Sequence, residues 1–247
     1  MNYVVFDTET TSLDKPFCYN IGYIIANENG KVLVKRDYVV EQVWHNLPLF
    51  NSAYYANKRQ IYVSRMRSRT VRMDKFGYIC QQMRRDFRTY EVKCAFAYNS
   101  SFDEKVFDFN CDWYKCNNPF EELKILDIRG YVHCFIVNDS FKQFCEENEY
   151  FTETGNYSTT AETVYRYISE NLEFEEEHTA LSDSEIENEI LRYALRNGAE
   201  FGVDYPTKIS IKREIEKDLT LKTPNEELHF KYNSIRISKD KTLITLK

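Results

Sequence analysis

Glycine and proline are scarce in this chain, 7 and 5 of 247 residues. No low-complexity tract or internal repeat accompanies them, which excludes a solenoid and a Pro/Gly-rich linker protein. No apolar run approaches the roughly 20 residues that span a bilayer, and the first residues enter a strand pattern without the layout of a signal peptide. No membrane segment is therefore expected. The seven cysteines (Cys18, Cys80, Cys94, Cys111, Cys116, Cys134, Cys145) are odd in number and contain no Cys-x-x-Cys. That argues against a disulfide framework and a zinc ribbon, and for reduced thiols in a cytoplasmic protein. Positive charge is also in deficit: the formal net charge is −6. A protein that binds through a general coating of lysine and arginine is thus excluded, but a local basic surface is not.

What remains is ample material for a core. Apolar residues make up 43% and aromatics 15% of the chain, which fits one large domain or one domain with an appendage. Tyr3 to Phe6 are aromatic or β-branched, the composition of a buried strand. Phe17–Ala26 and Lys31–Val40 are two further strand candidates separated by Asn27-Glu28-Asn29-Gly30, and Asn-Gly between such runs signals a hairpin. Residues 43–66 read as helical. Phe76, Ile79, Cys80, Met83 and Phe87 then recur at spacings of three and four, the buried face of an amphipathic helix. Strands are expected at Val92–Tyr98 and Leu123–Ile128, and a helix from about Glu104. Gly130–Phe144 reads as one more helix, and Thr159-x-x-Glu162 reads as a capping box opening a short helix. A last helix is marked by Ile186, Ile190, Leu191 and Ala194 and closes near Asn197-Gly198. The expected architecture is α/β: a mixed sheet, antiparallel at one side, with helices on both faces. Residues 1–202 form that domain. Residues 203–247, charged and β-branched, form a small C-terminal β-rich appendage ending in a hairpin.

Between Lys58 and Lys93, eleven basic residues face three acidic ones, a local +8 inside an acidic chain. Arg84, Arg85 and Arg88 fall away from the apolar face of their helix. Such a surface either tracks phosphates or is a solvated helix face.

The first strand runs into Asp7 and Glu9, which share one face in a period-two element. Two adjacent acids repel, and oxygen ligands of that kind suit Mg²⁺ or Mn²⁺. A lone Asp-x-Glu is more often the acidic turn after an edge strand. Two other segments change that weighting: Asn99-Ser100-Ser101-Phe102-Asp103 and His178-Thr179-Ala180-Leu181-Ser182-Asp183. His178 and Asp183 diverge by about 140° if both are helical, so they converge more easily with His178 on the loop before the helix. His45, His133 and His229 lack acidic partners at any such spacing and read as structural.

The ordered set, Val4-Val5-Phe6-Asp7-Thr8-Glu9-Thr10-Thr11, Tyr98-Asn99-Ser100-Ser101-Phe102-Asp103 and His178 to Asp183, resembles the motifs of the DEDD exonuclease superfamily. The resemblance is to its histidine branch, which includes the proofreading ε subunit of bacterial DNA polymerase III and stand-alone, in part phage-encoded, enzymes. It covers residues 1 to about 197. It implies an RNase H-like fold and a 3′→5′ exonuclease that hydrolyses terminal phosphodiesters of single-stranded DNA. It further implies two divalent ions, Mg²⁺ or Mn²⁺, held by Asp7, Glu9, Asp103 and Asp183, with His178 as general base. Thr8, Thr10, Thr11, Leu13, Asn99 and Phe102 are the implied substrate contacts, and a DNA polymerase is a candidate partner. Ser12 stands where many relatives have Gly, and Tyr98 where many have His, which bears on substrate preference. An RNA-trimming member of the superfamily, whose basic residues can serve a second copy's site, and a non-catalytic adaptor retaining the fold are the alternatives.

Overall fold

The computed structural model describes residues 1–207, 211 and 212, and beyond them the backbone of four short strands. One compact unit comprises residues 1–149 and 159–209; a second comprises 150–158 and 210–247.

The first unit is built on a six-stranded sheet of order β4-β3-β2-β1-β5-β6. The strands are β1 Asn2–Thr10, β2 Cys18–Asn27, β3 Val32–Val40, β4 Arg72–Asp74, β5 Val92–Ala97 and β6 Lys124–Asp127. β1, β2 and β3 pair antiparallel, and β1, β5 and β6 pair parallel. β1 is therefore central, so its acids do not form a turn after an edge strand. β4, three residues long and parallel to β3, is too short to carry a periodic signal in the sequence.

Helices cover both faces. They are α1 Glu41–Trp44, α2 Leu47–Phe50, α3 Arg59–Arg67, α4 Phe76–Thr89, α5 Ser101–Tyr114, α6 Ile128–Phe135, α7 Asp139–Glu147, α8 Ala161–Ser169 and α9 Ala180–Arg196. Even-numbered residues of β1 look toward α4 and α5: Phe6 meets Phe107 and stacks on Phe120. Odd-numbered ones look toward α9, where Tyr3 Oη donates to Asn188 Oδ1 at 3.0 Å. Period-two alternation on one central strand thus sends the Phe6 row into one half of the core and Asp7 and Glu9 to the other side. The expected buried face of α4 is the one observed, with Phe76, Ile79, Cys80 and Met83 fully buried.

Three helix expectations need correction. Residues 43–66 are broken into α1, α2, a 3₁₀ turn at Ala56–Lys58 and α3; Asn46 caps α2 through Leu49 N–H, with Pro48 in its first turn. The single helix over 130–144 is two, because the Asn138 side chain accepts from Phe141 N–H and starts α7 afresh. α8 is capped by Thr160, not Thr159; its hydroxyl accepts from Thr163 N–H.

The sequence places a boundary at 202/203, and the first compact unit includes residues to Ile209. Tyr131 Oη donates to Val203 O at 2.5 Å, and Tyr205 packs edge-on against Tyr131 and Phe135. In the second unit Phe151 bridges Tyr157 and Asn156 bridges Lys212. β7 Lys217–Lys222 pairs antiparallel with β8 Glu227–Tyr232, and β9 Ile235–Ile237 with β10 Ile244–Leu246. Residues 238–243, which include the expected hairpin turn, lie outside the described residues. Among the described residues no helix is long and apolar enough to cross a membrane.

Candidate active site

Asp7, Glu9 and Asp183 each direct a carboxylate oxygen to one point, the three oxygens lying within 4.8 Å of one another. β1 delivers the first two and the first turn of α9 the third. That turn is anchored by Asn20, a fully buried side chain on β2. Its Oδ1 accepts from Ala180 N–H at 2.8 Å and from Tyr62 Oη at 3.0 Å. Its Nδ2 donates to Asp37 Oδ1 and Tyr38 O. Ser184 Oγ donates to Gly22 O at 3.2 Å, and Gly22 pairs with Asp7 across the β1–β2 ladder. α9 is thereby laid on β2 beside the acids.

Asp103, at the start of α5 and 2% exposed, stands outside that group of three. Thr8 donates its hydroxyl to Asp103 Oδ1 at 2.7 Å. Asp103 is nevertheless the charged neighbour that acts most strongly on Asp7. A fifth acid, Glu187, is buried one turn along α9 from Asp183 and accepts from Tyr98 N–H at 3.3 Å. The sequence reading missed it, although a glutamate inside the apolar stripe of Ile190, Leu191 and Ala194 is a legible signal.

The electrostatics follow from this crowding. Burial, then the charges of Asp103, Glu187, Asp183 and Glu9, push Asp7 well above the usual carboxylate range. Burial and Asp183 push Glu9 up to about 8, opposed by the Tyr19 hydroxyl 3.3 Å away. Burial and Glu176 push Asp183 up to about 8. Burial raises Asp103 to about 7 against the hydrogen bonds from Thr8. The Lys58 cation pulls both Glu9 and Asp183 down. Asp183 Oδ1 is buried with no hydrogen-bond partner. A converging set of oxygens with one left bare fits a hard divalent cation.

His178 lies on the loop before α9 in the left-handed region, φ +52°. Its main-chain N–H lowers the Asp183 pKa slightly against the effect of burial. The imidazole stacks on Tyr55, centroids 4.4 Å apart and planes 13° off parallel. Its Nδ1 stands 3.6 Å from Glu176 Oε2. Burial and then Lys58 lower its pKa, while burial and Glu162 raise Glu176 to about 7. The loop itself is pinned from α3: Arg65 bonds Glu177 at 2.6 Å and Thr179 Oγ1 at 3.0 Å, and Lys58 Nζ donates to Glu177 O. Tyr55 and Glu176 were not singled out in the sequence, and Lys58 stands there only as one end of the basic stretch. Glu176 sits in a run of acids, and Tyr55 and Lys58 reach the site only through the fold.

The expected substrate contacts divide. Thr8 is buried and engaged with Asp103. Thr11 is buried, Thr10 closes β1 with its hydroxyl toward Ser12 O, and Leu13 is 82% exposed. Asn99 is exposed, at φ +61°, with its N–H donated to Asp127 Oδ1. Phe102 is half-buried against the core. Arg84, Arg85 and Arg88 are not brought to the acids. They line a groove of about 510 Å³ and its neighbour with Lys93 and Asn117, at the end of β5 where Val92 pairs with Asn2, far along β1 from Asp7. His133 is buried with Nε2 3.3 Å from Thr159 Oγ1; the side chain of His229 lies outside the described residues.

Neither a family model nor a curated protein matches the sequence. Solved structures do match. E. coli exonuclease I in complex with a 5cy-dT13 oligonucleotide superposes with a TM-score of 0.51 at 12% identity, covering 80% of this chain and 40% of that one. A second exonuclease I structure gives 0.51 at 13% identity, over 80% and 41%. The zinc-bound E. coli enzyme with single-stranded DNA gives 0.50 at 11%, over 80% and 41%. The chain thus spans about two fifths of the length of these structures. At such identities the likeness establishes the fold, an RNase H-like α/β nuclease fold shared with exonuclease I.

Proposed function

We propose that this chain is a metal-dependent 3′→5′ exonuclease of the histidine DEDD type that hydrolyses the terminal phosphodiester of single-stranded DNA. The observation that carries this reading is the convergence of Asp7, Glu9 and Asp183 within 4.8 Å, with Asp183 Oδ1 buried and bare. Such an arrangement is costly for a binding module, since the acids hold one another's protons until a cation arrives. The exonuclease I fold and its structures with single-stranded DNA support DNA as substrate.

Asp7, Glu9 and Asp183 would hold a Mg²⁺ or Mn²⁺ ion, and Asp103 beside Asp7 would contribute to a second. When bound, such ions lower the pKa of the attacking water and offset charge on the phosphate. The protein's own part is proton transfer and orientation. Neutral His178 with its proton on Nδ1, the nitrogen 3.6 Å from Glu176 Oε2, would leave the Nε2 lone pair to take the proton of the attacking water. The water oxygen bonds to phosphorus, the P–O3′ bond breaks, and the departing 3′ oxygen takes a proton from solvent. Tyr55 and the left-handed backbone at His178 hold the ring in place. Thr8 orients Asp103.

The test is digestion of end-labelled single-stranded DNA, duplex DNA and RNA in parallel, with Mn²⁺ or Mg²⁺ and with EDTA. Mononucleotides should leave the 3′ end of single-stranded DNA, stop in EDTA and resume on adding metal. Robust cleavage in chelator overturns the metal assignment. Faster trimming of RNA overturns the substrate assignment and leaves the chemistry standing.

A further inference from the structure

A second group of potential metal ligands lies away from the acids. The sulfurs of Cys80, Cys111 and Cys116 all fall within 4.8 Å of one another. Cys80 is fully buried in the middle of α4, and Cys111 is buried in the last turn of α5. Cys116 follows α5 and is half-buried. Lys115, left-handed at φ +53°, ends α5 and turns the chain back, so that Cys116 N–H donates to Cys111 O at 3.0 Å.

Buried cysteines behave as small apolar side chains, and two of them on a helix–helix seam need no further account. The third is different: it is partly open to solvent and comes from the loop. Cys111 and Cys116 form part of the wall of an open groove of about 650 Å³, with Asp108, Asp112 and Asn118 around it. The remaining four cysteines belong to no such group among the described residues.

We propose that Cys80, Cys111 and Cys116 form a binding site for a soft divalent cation of the Zn²⁺ class, with water from the groove in the fourth position. Zinc takes thiolate sulfur at about 2.3 Å, which in tetrahedral geometry sets sulfurs roughly 3.8 Å apart. Sulfurs already within 4.8 Å need close by no more than about 1 Å. Thiolates select zinc over the hard ions suited to the carboxylates of the active site. Binding releases the thiol protons to solvent. The single negative charge of a three-thiolate zinc centre is offset by Arg84, whose charge acts on Cys116. The groove supplies the path of entry. By linking α4 to the end of α5, the ion would brace the helix that carries Asp103 at its other end.

The full chain, stripped of metal and kept reduced with a phosphine, is titrated with Co²⁺ as a spectroscopic probe. A sulfur-to-cobalt charge-transfer band should saturate at one equivalent and be bleached by Zn²⁺; carboxylates give no such band. Zn²⁺ should shield three thiols from alkylation, counted by mass spectrometry. Cys116→Ala should abolish the band and weaken Zn²⁺ binding by more than the roughly 10–100-fold that outer partners of a ligand are worth. Cys134→Ser, an exposed cysteine outside the cluster, should leave the band intact. Absence of a charge-transfer band in the unmutated chain overturns the proposal whatever the variants do, as does a band that survives Cys116→Ala.

Discussion

Gly22 and Leu181 meet backbone to backbone: a Cβ on Gly22 would lie 2.1 Å from the Leu181 nitrogen. No rotamer change relieves such a clash, because the obstructing atoms belong to the first turn of α9. Gly22→Ala should therefore push α9 off β2. A destabilisation toward the upper end of about 1–3 kcal/mol is expected in denaturant titrations. Because Gly22 pairs with Asp7, the same shift should carry Asp183 away from Asp7 and Glu9 and weaken divalent-ion binding. A variant with unchanged stability and metal affinity would show that the helix does not sit this close.

The pH dependence of stability follows from the raised acids. Glu9 and Asp183 stand at about 8 and Asp103 at about 7 in the fold, whereas unfolded carboxyls titrate near about 4. A folded pKa above the unfolded one means that the native state holds its protons more tightly. The stabilisation is complete below about pH 4 and is lost as pH rises through about 8. Melting in EDTA should thus fall steadily across that window. Mn²⁺ favours the ionised acids, so the gain in melting temperature it confers should grow with pH. A metal-free melting temperature that rises from pH 5 to about 8 would contradict the burial of these groups.

Much of this site was written locally. The run Tyr3 to Phe6 carries strand composition that leads into two acids on one face, Asn27 to Gly30 carries turn chemistry, and the α4 face is spaced at three and four, so each is legible within ten or so residues. The breaks at Asn46 and Asn138 were also local, but apolar spacing across them masked the caps. Asn20 is another matter. It bonds Ala180, 160 residues away, and nothing around Asn20 in sequence announces that partner. Tyr55 under His178 is of the same kind: its role exists only once the segment before α3 and the loop before α9 are packed together.

The distance of Arg84, Arg85 and Arg88 from the acids gives the basic patch a specific expectation. If these residues track phosphates, they can reach only a strand long enough to run from the β1 acids to the Val92 end of the sheet. Changing all three to Gln should reduce the salt slope of binding by about 2 for long single strands, at about 0.7 per phosphate contact. Oligonucleotides of a few residues should show no change. Equal slopes for variant and parent on long strands would make this a solvated helix face.

The sharpest prediction separates His178 from the acids and then separates its ring from its supports. A base acts on the proton-transfer step, so His178→Ala should still bind metal and DNA but lose on the order of 10²–10⁴-fold in kcat. Asp183→Asn should lose metal affinity as well. In the unmutated chain kcat/KM should rise with pH through the imidazole pKa, since only the neutral ring accepts a proton. Burial and the Lys58 charge lower that pKa, which places the limb below the ordinary value of about 6.5. Lys58→Ala removes the cation and should move the limb upward. Tyr55→Ala removes the surface on which the ring is stacked and should lower kcat with little change in KM, whereas Tyr55→Phe keeps the stack and should restore the rate. If His178→Ala turns over near normally, or if its profile keeps the limb, the histidine is not the base. If Tyr55→Phe is as slow as Tyr55→Ala, the hydroxyl and not the stacked ring is what the site uses.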